Sequence, residues 1–138
     1  GDCRVELICD GIHVSDAMIR NTFRMFGADR VIMVSGSNCA AGVGDGAYEM
    51  GGREFTVEDG IPRLRDSGEL VGSVSNLMEC FLHTVKKARV DLEDAVKAAC
   101  ENPCRALGIF EDYGSIEIGK CAQLVFLDED LNIVSVWL

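Results

Sequence analysis

The chain is poor in the residues from which self-contained chemical sites are usually built. It has two histidines, His13 and His83, so a histidine-rich metal site lying wholly within it is not expected. Its seven cysteines (Cys3, Cys9, Cys39, Cys80, Cys100, Cys104 and Cys121) form an odd set without a CxxC pair, and several sit inside apolar runs. They read as reduced, mostly structural thiols of a cytoplasmic protein. Basic residues never cluster, and 23 acids against 13 bases leave a formal charge of −10. Nucleic acid and anionic membrane both require a positive patch, so neither is expected as a partner. No apolar stretch approaches the roughly 20 residues of a membrane span, and no export or anchoring signal is legible.

What is present is enough for one core. The 138 residues are 48% hydrophobic. A complete eight-stranded α/β barrel typically needs about 250 residues, so the chain is too short for one. Two segments stand out: Cys9-Asp10-Gly11-Ile12-His13-Val14, and Val31-Ile32-Met33-Val34 running into Ser35-Gly36-Ser37-Asn38-Cys39-Ala40-Ala41-Gly42. Each follows or contains an apolar run that ends abruptly in small and polar residues. Buried parallel strands deliver side chains in this way to the carboxyl end of an α/β sheet or barrel, where such folds keep their chemistry.

The periodicity predicts a strand over Val5 to Cys9, then a helix capped by Ser15 or Asp16 with Met18, Ile19, Thr22, Phe23 and Phe26 at helical spacing and Gly27 closing it. With the strand Val31 to Val34 this makes a strand-helix-strand unit suited to a parallel pair. Between Gly42 and Gly72 the pattern becomes Gly-rich, with short strands at 48–50, 54–57 and 61–64 separated by Gly51-Gly52 and Asp59-Gly60, which are hairpin signals. A helix begins at about Ser75 and carries Leu77, Met78, Phe81, Leu82 and Val85 on one face; His83 falls on the other and reads as solvated. A second helix opens at Asp91, and Asn102-Pro103 starts a separate short turn stopping at Gly108. Strands at Gln123 to Leu127 and Ile133 to Leu138 end the chain, and both termini read as cut, as in a piece of a larger protein.

With Asp10-Gly11-Ile12-His13-Val14, the Ser35 to Gly42 loop, Leu70-Val71-Gly72-Ser73, Asn102-Pro103-Cys104-Arg105-Ala106 and Gly114-Ser115-Ile116-Glu117-Ile118-Gly119-Lys120 in this order, the chain resembles the N-acetylglucosamine-6-phosphate deacetylases. The Gly114 to Lys120 ending is shared across the amidohydrolase superfamily. The segment containing His13, followed by the Ala40-Ala41-Gly42 loop and the Leu70 to Ser73 turn, points to the sugar deacetylase branch. The resemblance implies an α/β fold: the last two strands and helices of a metal-dependent (β/α)8 barrel over residues 1–108, with a β-hairpin insertion at about 42–72, and part of a small β-sandwich domain over 109–138. It implies hydrolysis of the acetamide of N-acetylglucosamine 6-phosphate to glucosamine 6-phosphate and acetate, in amino-sugar catabolism, with a divalent metal such as zinc supplying the nucleophile in the full-length enzyme. A homo-oligomer is implied for the full-length form.

Carried over residue by residue, the resemblance makes Asp10, Gly11, Ile12 and His13 a segment that contacts the sugar phosphate, and Leu70, Val71 and Gly72 a loop lining the same pocket. The family's metal ligands, a glutamate and two histidines, belong to earlier strands, so this chain alone is expected to bind no metal and to need the N-terminal part of the barrel as its partner. The proton-shuttling aspartate should follow Ser35, and Gly36 stands there. Asn38, Gly44 and Gln123 replace a usual methionine, proline and aspartate. The expectation is an inactive chain. Two other readings stay open: a non-catalytic remnant that binds sugar phosphate or only mediates oligomerisation, and an amidohydrolase acting on another N-acyl or cyclic amide substrate. Exposed strand edges and helix faces predict self-association in isolation.

Other motifs carry less. Gly42-Val43-Gly44-Asp45-Gly46 is GxGxG followed by hairpin, so it does not fit a dinucleotide loop. Gly114 to Lys120 fits GxxxxGK, yet Cys121 and a following strand replace the hydroxyl residue and helix of a phosphate loop. Cys100 and Cys104 read as buried packing.

Overall fold

The computed structural model describes residues 3–138. Strands β1 (Val5–Ile8) and β2 (Val31–Val34) are parallel neighbours, with Val5 opposite Val31 and Ile8 opposite Val34. Helix α1 (Asp16–Phe26) and a 3-10 turn (Ala28–Arg30) connect them, and Gly27 ends the helix at φ 81° with its N–H donated to the Phe23 carbonyl. The parallel register has one consequence for function. Asp10 and Gly36, each two residues beyond its strand, leave the sheet at the same end.

Helices cover one face of this pair. Ile19 and Phe23 of α1, Cys80 and Phe81 of α2 (Leu77–Lys86) and Ala95 of α3 (Leu92–Val96) close over Leu7, Val31 and Met33. A fully buried Ile19 contributes ~2 kcal/mol by leaving water. α2 begins later than the expected Ser75, because Asn76 accepts the Glu79 N–H while the Glu79 carboxylate accepts the Asn76 N–H, a reciprocal cap. Neither Ser15 nor Asp91 makes the side-chain cap that its position offers.

The short turn expected from Asn102-Pro103 to Gly108 is present, but no break separates it from the preceding helix. The chain stays helical from α3 through a π segment (Lys97–Glu101) into α4 (Asn102–Leu107). Pro103 has no N–H for the preceding turn, and the wider π geometry absorbs it, with the Asn102 N–H reaching the Lys97 carbonyl. The buried Asn102 side chain donates to the carbonyls of Ala28 and Val31, both at 2.7 Å, and so pins this helix to the start of β2.

β3 (Gly46–Met50), β4 (Arg53–Glu58) and β5 (Ile61–Leu64) form an antiparallel meander. Both of its turns place two residues at positive φ, Gly51-Gly52 and Asp59-Gly60, as tight two-residue hairpins require. Phe55, Val57 and Leu64 of this sheet pack with Ala40 into a second core, and Val71 and Val74 lie against it. β6 (Leu124–Leu127) and β7 (Ile133–Trp137) form a final antiparallel hairpin whose Val125, Ile133, Val134, Val136 and Trp137 are exposed. Lys120 is a structural tie, since its ammonium donates to the Phe110 carbonyl and the Ser115 hydroxyl and lies 3.5 Å from the centroid of the Phe110 ring. Among the described residues no helix is long and apolar enough to cross a membrane.

The thiols divide more sharply than expected. Cys9 and Cys80 are buried, and burial pushes each up to about 11. Cys3, Cys39, Cys100 and Cys121 are exposed and Cys104 is half-buried, so Cys100 and Cys104 are not a buried packing pair. Cys100 lies within the π segment.

Candidate functional site

Three loops meet at the carboxyl end of β1 and β2, joined by one chain of hydrogen bonds. Asp10 is its centre, with a carboxylate that is fully enclosed. One carboxylate oxygen accepts the backbone N–H groups of Ile12 and His13, each at 2.9 Å, and the other accepts His13 Nδ1 at 2.8 Å and the Ser73 hydroxyl at 2.9 Å. Burial pushes the Asp10 carboxyl up, but the hydrogen bonds from His13, Ile12 and Ser73 outweigh it and hold the group below the usual carboxylate range. An ionised carboxylate only accepts, so the His13 ring carries its proton on Nδ1. Nε2 is the nitrogen left toward solvent, on a side chain that is 19% exposed.

The second loop, Ser35 to Gly42, is bound to the third, Leu70 to Ser73. Ser37 and Ser73 form a parallel bridge. The Ser73 N–H donates to the Gly36 carbonyl at 2.8 Å, and the Asn38 N–H donates to the Ser73 carbonyl at 2.7 Å. Asn38 also gives its side-chain N–H to the Val71 carbonyl at 2.6 Å and accepts the Ala40 N–H at 2.9 Å. These bonds give Asn38 a role at a position where the resemblance implies methionine. Gly72 fits its place because a Cβ there would lie 3.0 Å from the Gly36 carbonyl oxygen, at φ 63°.

The structure therefore brings Asp10, Gly11, Ile12 and His13 together with Gly36, Val71 and Gly72, while Leu70 pairs with Arg63 of the meander. Their roles differ in kind. Asp10 is sealed and spends its oxygens on internal partners, Ile12 is exposed, and His13 has one open edge. Gly36 is exposed and sits at φ 63°; a Cβ added there would stand 2.6 Å from the Ile8 side chain.

His83 overturns its expectation as a solvated residue. Its Nε2 lies 2.7 Å from the Asp16 carboxylate, and its ring fills the space beside Gly11, where a Cβ would overlap it. The sequence signal was weak, because helical periodicity places a residue on a face and says nothing of a loop that folds back over that face.

A divalent metal, implied by the resemblance, does not fit the donors present. Among the described residues no group of three or more His, Cys, Asp or Glu side chains is placed to hold one. His13 Nδ1 is engaged by Asp10, His83 Nε2 by Asp16, and position 36 has no side chain. Two shallow concavities lie away from these residues. One, of about 290 Å³, is formed by the Gly42–Asp45 loop over Val57 and Val74, and the other, of about 260 Å³, lies between α1 and the Arg89–Asp94 segment.

Residues 7–138 match the amidohydrolase family. The chain is 34% identical over 129 residues to the N-acetylglucosamine-6-phosphate deacetylase of Bacillus subtilis, covering 94% of this chain and 32% of that protein. It is 31% identical over 134 residues to the putative N-acetylgalactosamine-6-phosphate deacetylase of Escherichia coli K12, covering 97% of this chain and 79% of that protein. The crystal structure of N-acetylglucosamine-6-phosphate deacetylase from Thermotoga maritima superposes with a TM-score of 0.90 at 36% identity, over 97% of this chain and 36% of that one. The chain thus spans about a third of the length of the first of these relatives, and its parallel β1-α1-β2 unit fits part of a (β/α)8 barrel. By the family match and by likeness to these relatives, the chain belongs to the amidohydrolase family, in its N-acetyl amino-sugar-phosphate deacetylase branch.

Proposed function

We propose that this chain supplies the sugar-phosphate-binding end of a deacetylase framework and that, by itself, it binds an amino-sugar 6-phosphate without hydrolysing the amide. The observation that carries this reading is the Asp10 network, which ties the three loops into one surface with His13 Nε2 at its open edge. His13 meets the ligand; Asp10 is a positioning residue that sets the tautomer and orientation of the imidazole. The main chain of Gly11 and Ile12, and the loop of Leu70, Val71 and Gly72, line the same surface. Residues 109–138 belong to a small β domain.

The absence of hydrolysis follows from chemistry. Breaking an amide C–N bond requires a group that takes a proton from the attacking water and returns it to the departing nitrogen. Gly36 stands at the place assigned to that group and offers no side chain. Turnover needs a partner polypeptide segment, the N-terminal part of the barrel, together with a carboxylate restored at this position.

Relatives named for both the glucosamine and the galactosamine sugars match this chain, so the test uses both epimers. Glucosamine 6-phosphate, its N-acetyl form and the galactosamine counterparts are titrated calorimetrically into the purified chain, with acetate release followed in parallel with and without added zinc. Heat that disappears in His13→Ala, without acetate, is the expected result. No heat with any of the sugars removes the binding reading, and acetate release by the chain alone removes the non-hydrolytic one.

A further inference from the structure

The loop that carries His13 is held from two sides, and only one of them is the Asp10 network. From the other side comes His83, which lies 72 positions after Gly11 in the sequence and projects from α2. Three atoms of its imidazole crowd the position a Gly11 Cβ would take: Cε1 would be overlapped, while Nε2 and Nδ1 stand at 2.5 and 3.0 Å. Gly11 is at φ 77°, a conformation glycine enters and leaves readily because no Cβ resists either sign of φ. A ring packed against that backbone removes the freedom.

The ring is itself fixed. His83 Nε2 and an Asp16 carboxylate oxygen are 2.7 Å apart, and Asp16 is the first residue of α1. His83 therefore brackets the whole segment from Gly11 to Asp16, touching its first residue and bonding to its last. The backbone of His83 takes no part in this, since its carbonyl accepts the N–H groups of Lys87 and Ala88 at the end of α2. Changing the side chain leaves those bonds in place.

We propose that His83 is a positioning residue for the His13 site: its imidazole, anchored by Asp16, is the wedge that selects the loop conformation in which His13 faces ligand. The function of the loop rests on the sugar-phosphate reading above; the mechanical part does not.

Hydrogen exchange read by mass spectrometry on the full chain separates the two. The amides of Ile12 and His13, both donated to Asp10, report the loop directly. His83→Ala is expected to speed their exchange roughly tenfold while β1 and α2 exchange as before. Asp16→Ala, which keeps the ring but frees it, is expected to act in the same direction more weakly, and His83→Phe, which keeps a ring of similar shape, is expected to restore protection. In the same variants the affinity for glucosamine 6-phosphate is expected to follow the loop, falling roughly tenfold in His83→Ala. Exchange within twofold of the parent chain at Ile12 and His13 overturns the proposal, and so does acceleration spread equally over β1 and α2. If His83→Ala does not fold, Asp16→Ala and His83→Phe decide the matter by the same comparison. Loop exchange that behaves as expected in a chain with no affinity for sugar phosphate sinks the binding reading and leaves the wedge standing.

Discussion

The side chain of Ile8 occupies the space that a side chain on Gly36 would enter: a Cβ at position 36 would lie 2.6 Å from Ile8 Cδ1 and 3.2 Å from Ile8 Cγ1. The two residues follow from the parallel register, which sets Ile8 opposite Val34 at the end where the loop departs. A carboxylate at position 36 would therefore require the Ile8 side chain to move as well.

Restoring the carboxylate has a measurable cost. Gly36→Asp introduces a side chain at φ 63° as well as the contact with Ile8, and the expected destabilisation is about 1–3 kcal/mol. Ile8→Ala in the same background is expected to recover part of it, so that the pair is non-additive in a double-mutant cycle read by urea denaturation. Strict additivity would mean that Ile8 does not oppose a side chain at this position.

The enclosed Asp10 carboxylate makes the loop sensitive to acid. Its folded pKa lies below its unfolded value, so its contribution is complete above about pH 5 and is lost as the pH falls through the ordinary aspartate value of about 3.9 toward the depressed one. Asp10→Asn is expected to lose about 2 kcal/mol at pH 7 and to show a flatter stability profile between pH 5 and pH 3. Thermal melts of both proteins across that range check it; parallel profiles would assign the acid sensitivity to other carboxylates.

Ser73 couples the third loop to the first. Its hydroxyl donates to Asp10 and accepts the Ser75 N–H, so Ser73→Ala removes two bonds at once and is expected to cost about 1–2 kcal/mol. In combination with Asp10→Asn the loss is expected to fall short of the sum. A fully additive double variant would show that the two loops are held independently.

Thiol reactivity sorts the cysteines by environment. At pH 8, labelling with a disulfide reagent is expected at Cys3, Cys39 and Cys121, whereas Cys9 and Cys80, raised to about 11 by burial, react after unfolding. Peptide mapping by mass spectrometry gives the sites. Rapid native labelling of Cys9 would contradict its packing beneath the helices.

Most of the local structure was legible in the sequence because local physics produces it. Alternation and apolar runs marked the strands, Gly27 closed its helix, and Gly51-Gly52 and Asp59-Gly60 supplied the positive φ angles of their turns. Pro103 misled the reading, because a helix break is the usual answer to a missing N–H and the π turn is a rarer one. The first two loops of the candidate site stood out from the way they end apolar strands, and the third, Leu70 to Ser73, only from the resemblance.

Their mutual arrangement was not legible. Asp10 meets Ser73 across 63 positions and Asp16 meets His83 across 67, and no period in the sequence encodes pairings at such separations. The sequence by itself determined most of the elements, the acidic and histidine-poor character of the chain, and the glycine at position 36, since these depend on residue type and near neighbours. The tertiary structure alone decided that Asp10 is a sealed support, that Ile8 fills the space beside Gly36, and that a histidine expected in solvent braces the His13 loop, because packing brings distant residues into one small volume.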